Sequence, residues 1–175
     1  MSTSSHSNYD LYSRIDPRVA QVISRWGLED GLYVFDSSTA SSAEAASSLS
    51  VDVDQIGKSI AFKGDDWFVI VLISGALRVD KAKVRAVAQS VKMASIDGQS
   101  IEKNLGYRPG GLSPLFIPDS AKLFVDRSIE NFETIYVSAG TTNSVVALSR
   151  SAREAIFGSE RFDLSMDVSG NLEEN

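Results

Sequence analysis

Apolar positions recur along the chain with two periods, and the switches between them predict most of its elements. Val19, Val22, Ile23 and Trp26 fall at i, i+3, i+4 and i+7, one face of a helix. Asp16-Pro17 opens that helix and Gly27 closes it, an N-cap acceptor and first-turn proline at one end and a C-terminal glycine at the other. Leu32 to Phe35 reads as a short strand. Ser37-Ser38-Thr39 leads into a second helix, where Ser41 and Glu44 have capping-box spacing and Ala45, Ala46 and Leu49 form the buried side. Asp52 to Gly57 is a turn or a single helical turn before a strand at Lys58 to Lys63, on which Lys58, Ile60 and Phe62 share a face. Gly64-Asp65-Asp66 is a hairpin turn, and Trp67 to Ile73 is an apolar run without alternation. Such a run marks a central strand covered on both faces.

The second half reads the same way. Asp80 caps a helix with Val84, Val87, Ala88 and Val91 as its stripe and Lys81, Lys83, Arg85 and Lys92 on its solvated side. Met93-Ala94 is a brief strand, and Asp97 caps a short helix with Ile101 and Leu105 inward. Further strands are expected around Lys122 to Val125, Ile135 to Ser138 and Ser144 to Leu148, with a turn at Asp126 to Asn131. A helix follows from Ser149 to Phe157, stopped by Gly158. Phe162, Leu164, Met166 and Val168 alternate and predict a last strand, with Met93 and Met166 as core residues. Helices and strands mix without a regular βαβ order and without repeat or linker. This points to one α+β domain over residues 16–168, between flexible polar tails at 1–15 and 169–175.

One segment breaks both periods. Gly106-Tyr107-Arg108-Pro109-Gly110-Gly111-Leu112-Ser113-Pro114-Leu115-Phe116 carries three glycines and two prolines within eleven residues, which excludes a helix and disfavours a central strand. Apolar anchors flank bare backbone at Gly110 and Gly111. Such a loop either presents fixed N–H groups to a ligand or simply connects two elements.

Composition narrows the chemistry. With 175 residues, 43% hydrophobic, the chain can bury a sizeable core. It has no apolar run long enough to span a membrane and no basic-then-apolar signal sequence. There is no cysteine, and the one histidine is His6 in the polar leader, so thiolate, histidine-triad and Cys/His metal chemistry are excluded from the folded body. These features suit a cytoplasmic chain with no metal and no cofactor. The net charge of −6 is uneven: residues 58–127 hold 11 of the 17 Lys and Arg but 7 of the 23 Asp and Glu. That pattern disfavours DNA and broad nucleic-acid binding, and fits either an ordinary mixed surface or a limited anionic contact in the middle segment.

Four segments together resemble the YbaK / prolyl-tRNA synthetase-associated domain family of aminoacyl-tRNA deacylases. They are Gln55-Ile56-Gly57-Lys58-Ser59-Ile60, Gly106-Tyr107 through Gly110-Gly111-Leu112-Ser113-Pro114, the Asp126-centred turn, and Ile135-Tyr136-Val137-Ser138-Ala139-Gly140. The resemblance implies a strongly curved, partly barrel-like mixed sheet surrounded by helices. It implies a trans-editing deacylase that hydrolyses a mischarged tRNA, with tRNA for proline the expected substrate, by substrate-assisted water attack. A binding module that recognises the aminoacyl-tRNA acceptor end, or prolyl-tRNA synthetase, without turnover is the alternative. It carries catalytic roles to Lys58 and Gly110, and substrate contacts to Phe35, Thr39, Ser59, Ile60, Gly111, Ser113, Pro114, Asp126, Ser138, Ala139 and Gly140. The residues agree with such chemistry: an aminoacyl ester needs positioning and oxyanion stabilisation more than a strong base, and the N–H groups of Gly110, Gly111 and Gly140 are the candidate donors. Lys58 is open to two catalytic roles, a general base with a lowered pKa or a protonated anion anchor; its sequence neighbours supply no cation to depress its pKa, which favours the anchor. Its bland alternative is a lysine whose stem passes the core edge. Asp126 reads as a turn cap, and Ser113 and Ser138 as hydrogen-bonding loop residues without a base to make them nucleophiles.

Overall fold

The apolar run at Trp67 becomes the middle of the molecule. In the computed structural model, which describes residues 8–166, strand β3 (Phe68–Ser74) is buried along its whole length. Its two faces feed separate cores. Phe68, Ile70 and Leu72 pack with Val19 and Ile23 of helix α2 (Pro17–Trp26), while Val69, Val71 and Ile73 pack with Val84 of helix α4 (Lys81–Val87) and with Leu164. A third, smaller cluster joins Ala45 and Ala46 of helix α3 (Ser42–Leu49) to Ile56 and Val145.

The other strands are β1 (Leu32–Val34), β2 (Ile56–Lys63), β4 (Ala94–Ser95), β5 (Ala121–Val125), β6 (Thr134–Ser138) and β7 (Ser144–Ser149). The seven form one mixed sheet in the order β1-β7-β6-β2-β3-β5, with β4 on the side of β2. Pairings β2–β6 and β3–β5 are parallel, and the rest are antiparallel. The chain is thus α+β, and the sheet does not close into a barrel. Helices α1 (Asn8–Tyr12), α5 (Gly98–Leu105) and α6 (Arg150–Phe157) complete the described set. Caps lie where the residue types place them. Asp16, Asp80, Asp97 and Ser149 each accept a first-turn N–H, and Ser41 and Glu44 form a reciprocal capping box.

Several expectations fail, each for a physical reason. Among the described residues of the expected last strand, 162–166, no strand forms. Asp126 and Val79 make isolated bridges to Phe162 and Ser165, so the segment crosses between two elements as a strap instead of lengthening the sheet. The alternation was real for Leu164, which is fully buried, but Met166 is 51% exposed. Val91 is 80% exposed, because α4 ends at Val87. The expected N-terminal tail is helical at Asn8–Tyr12 and buries Ile15 under the main core. His6, Val168 and the tail from Ser169 lie outside the described residues.

Candidate active site

The site starts from a gap in the sheet. Strand β2 pairs with β3 from Gly57 to Lys63. On its other edge it meets β6 only at Ile56 and Gly57, and β4 only at Phe62 and Lys63. Between those contacts, from Lys58 to Ala61, no strand among the described residues covers that edge. Alternate residues of a strand turn N–H and C=O to opposite edges, so backbone polar groups open here on a cleft. The cleft, of about 420 Å³, is walled by Thr39 to Ser42 at the start of α3, by Ile101 of α5, by Pro109, Gly110 and Leu112 of the glycine loop, and by Tyr136 and Ser138 of β6. Lys58, Ser59 and Ile60 line it from β2. No aspartate, glutamate or histidine is among the lining residues.

Lys58 is half-buried, and its ammonium donates to the carbonyls of Gly75 (3.1 Å) and Leu77. Burial, with the nearby Arg78 guanidinium adding to it, holds its pKa below the ordinary lysine value. Sequence neighbours alone had suggested no cation close by; Arg78 reaches it from the loop after β3. Lys58 also borders a second, open groove of about 270 Å³ that holds Arg78, Lys81 and Ser95. Lysine has three N–H donors, so two carbonyl contacts leave one for an incoming oxygen.

Gly110 has φ +82°, and a Cβ there would sit 2.6 Å from the Ala40 Cβ and 3.0 Å from the Ala40 Cα and carbonyl oxygen. This left-handed conformation and tight passage both demand glycine. Gly111 donates its N–H to the Arg108 carbonyl (2.9 Å), and Gly140 donates to Ser138 Oγ (3.1 Å). Those two amides are therefore occupied, which removes them as oxyanion donors. Among the described residues the Gly110 N–H has no hydrogen-bond partner. Ser138 Oγ in turn donates to the Gly111 carbonyl (3.1 Å), tying the loop to the end of β6. Ser59 Oγ is buried without a partner.

Residues 36–154 match the family model of the aminoacyl-tRNA editing domain. The chain belongs to this editing-domain family. It is 25% identical over 125 residues to the uncharacterized protein YwhH of Bacillus subtilis (strain 168), covering 71% of this chain and 79% of that one. It is 31% identical over 124 residues to the proline–tRNA ligase of Staphylococcus haemolyticus (strain JCSC1435), covering 69% of this chain and 22% of the ligase; the chain thus spans about a fifth of that protein. Among solved structures, the hypothetical protein APE2540 superposes with TM-score 0.77 at 24% identity, over 85% of this chain and 99% of that one. A candidate trans-editing enzyme for prolyl tRNA synthetase superposes with TM-score 0.76 at 21% identity, over 86% and 96%. At these identities the two structures establish the shared fold.

Within this editing domain, the sequence-derived residues divide into two groups. Lys58, Ser59, Ile60, Thr39, Gly110 and Ser138 converge on the cleft. The others do not line it. Ser113 is fully buried and accepts the Leu115 N–H, with Pro114 buried beside it. Ala139 is buried, and a side chain at Gly140 would collide with Asp16. Phe35 stacks on Tyr33 and packs with Tyr136 in the cluster under α3. Asp126 is 0% exposed and accepts the N–H groups of Ser128 (2.8 Å) and Leu164 (2.7 Å). Arg18 was missed. From α2 it lies over the rings of Tyr107 and Phe116 at 4.5 and 5.0 Å and donates to the Gly106 carbonyl at 2.8 Å. Its position one residue past a helix-starting proline gave no signal of that role.

Proposed function

We propose that the chain is an aminoacyl-tRNA deacylase that acts in trans in the cytoplasm on mischarged tRNA, with tRNA for proline the leading substrate. The observation that carries the reading is a cleft whose ionisable lining is Lys58 and Tyr136, with no carboxylate or imidazole to serve as base. Such a site suits a bond that is already activated. Water attacks the ester carbonyl, the carbonyl–ribose oxygen bond breaks, and the ribose oxygen leaves with a proton, releasing the amino acid and an uncharged acceptor end. The neighbouring ribose hydroxyl of the substrate orients the water and relays the proton.

The protein's part is placement. The Gly110 N–H, together with N–H groups on the uncovered edge of β2, faces the developing oxyanion, a task that fixed backbone donors perform without reorganisation. Protonated Lys58 anchors a phosphate of the single-stranded end, with Arg78 and Lys81 in the adjoining groove. Thr39, Ile60 and Tyr136 shape the side-chain pocket. Recruitment by prolyl-tRNA synthetase is compatible with this arrangement, whereas DNA and membranes are not expected partners.

The test is a deacylation panel of tRNAs carrying different amino acids. Enzyme-dependent release from one or a few mischarged species is the expected result. Tight binding of the aminoacyl end with no release from any species would replace this reading with a binding module.

A further inference from the structure

The strap at 162–166 lies outside the stretch matched by the editing-domain family, yet it grips the backbone that holds Lys58. Two consecutive carbonyls make the link. Leu77 O accepts the Lys58 ammonium, and Arg78 O accepts the Met166 N–H at 2.9 Å. Asp80 N–H donates to Leu164 O at 2.8 Å, and Val79 bridges Ser165. The strap is itself pinned from three directions. The buried Asp126 carboxylate accepts the Leu164 N–H, Leu164 is sealed in the core under α4, and Asp163 pairs with Lys83 (3.2 Å) and Arg127 (2.8 Å).

From this geometry we propose that the strap, with Asp126 as its clasp, is a positioning device that fixes the 75–79 loop and through it the Lys58 ammonium. The inference rests on Lys58 working in the cleft. Asp126, which does not line the cleft, then matters to the reaction without touching substrate. A loop held only by β3 and α4 would be free to shift its carbonyls. A loop laced to β5 through the strap is not, because moving it breaks several hydrogen bonds in one step. The charged residues that share the open groove with Lys58 are Arg78 and Lys81, both cationic, so no carboxylate among the groove residues would restrain the lysine in place of these carbonyls.

The experiment uses the full chain with Asp126→Asn and Leu164→Ala. Asn keeps one acceptor oxygen and turns an NH₂ toward an N–H, so it cannot serve both Ser128 and Leu164. Ile23→Ala, in the other core, is the stability control. Two readouts are taken well below each variant's melting temperature. One is the rate of reductive methylation of Lys58 relative to the exposed Lys103, by mass spectrometry. The other is kcat/KM on a mischarged tRNA. In the strap variants the methylation ratio rises several-fold and kcat/KM falls about tenfold, the scale expected for a displaced anchoring group. Ile23→Ala moves neither, and the volume-conserving Leu164→Met restores both. Should Leu164→Ala fail to fold, Asp163→Asn loosens the strap from outside the core and gives the same signs with smaller size. An unchanged methylation ratio overturns the proposal, as does a raised ratio with unaltered kcat/KM. If wild-type protein deacylates nothing, the ratio still decides whether the strap holds the lysine, and the failure belongs to the functional reading.

Discussion

Strands β2 and β3 lie side by side in one sheet and are paired along seven residues, yet they are put to opposite uses. Strand β3 has a neighbour on each edge and a core on each face. It is structural along its whole length. Strand β2 shares its apolar partner face but leaves Lys58 to Ala61 without a strand on one edge, and that omission is the cleft. An unpaired sheet edge ordinarily risks association with another chain. Here α3, α5 and the glycine loop enclose it, so the backbone polarity of that edge opens on a cleft and not on the surface. The difference is therefore one of pairing more than of residue type, and it predicts that damage to β3 appears as lost stability whereas damage along the gap in β2 appears as lost chemistry.

The largest effect tests the first half of that statement. Ile70→Ala on β3 removes a fully buried side chain from the main core and should cost about 2–5 kcal/mol of unfolding free energy. Denaturant unfolding measures it. Activity per folded molecule should stay within twofold, roughly the scatter of distant core changes, and a selective loss of kcat would show that β3 is not purely structural.

Lys58 tests the other half. Lys58→Ala should lower kcat/KM on the order of 100-fold with little change in melting temperature, the scale of losing a charge-assisted contact to substrate. Lys58→Arg should keep a measurable fraction, since the positive charge survives. The sign of the pH dependence separates anchor from base. Burial and Arg78 lower the lysine pKa, so the protonated anchor is present below that depressed value and is lost as pH rises through it. The anchor role therefore gives a rate that falls at the alkaline end. A rate that rises through the lysine's ionisation, with arginine as inactive as alanine, would make Lys58 the base.

Much of this contrast was legible in the sequence, for reasons that also mark where reading stopped. The unbroken run at 67–73 declared β3, and the aspartate and serine caps declared the helix starts, because both signals are local. The glycine loop announced itself through Pro109, Gly110 and Pro114. Pairing is not local. Nothing in Lys58-Ser59-Ile60-Ala61 says that a strand is missing beside it, and nothing in Arg78 places it against Lys58. Nor does the spelling of the two glycine segments reveal that Gly111 and Gly140 have their amides occupied while Gly110 does not. The strict alternation at 162–168 misled for the same reason: a strap with one buried leucine has the spacing of a strand without its partners.

Gly110 gives a smaller effect and a sharper one. Gly110→Ala combines a left-handed backbone cost with a collision against Ala40, so melting temperature and activity should both fall. Gly27 separates the two causes, because it has φ +63° with nothing within 4 Å of a would-be Cβ. Gly27→Ala should therefore show the conformational cost alone, about 1–2 kcal/mol, with activity intact. Gly110→Ala should exceed that cost by the displacement of Ala40 and lower kcat/KM about tenfold. Equal stability loss in the two variants with no activity loss at Gly110 would reduce the loop to a connection.

The smallest effect concerns what reaches the gap. If the uncovered edge of β2 receives only a single-stranded end, the cations available to its phosphates are those at the adjoining groove: Lys58, Arg78 and Lys81. The rest of the surface opposes a longer contact, since the chain carries a net charge of −6 and residues 58–127 alone run positive. Each neutralised phosphate of a single strand contributes about −0.7 to the slope of log K against log salt, so these three cations give a slope of about −2 at most. Binding of a non-hydrolysable aminoacyl-RNA end, titrated across salt, measures it. Arg78→Gln should flatten the slope by less than one and leave kcat nearly unchanged, because it stands beside the cleft without lining it. A slope several-fold steeper would mean that the RNA runs well beyond the groove. In that case the gap in β2 would be one end of an extended interface and no longer the whole of it.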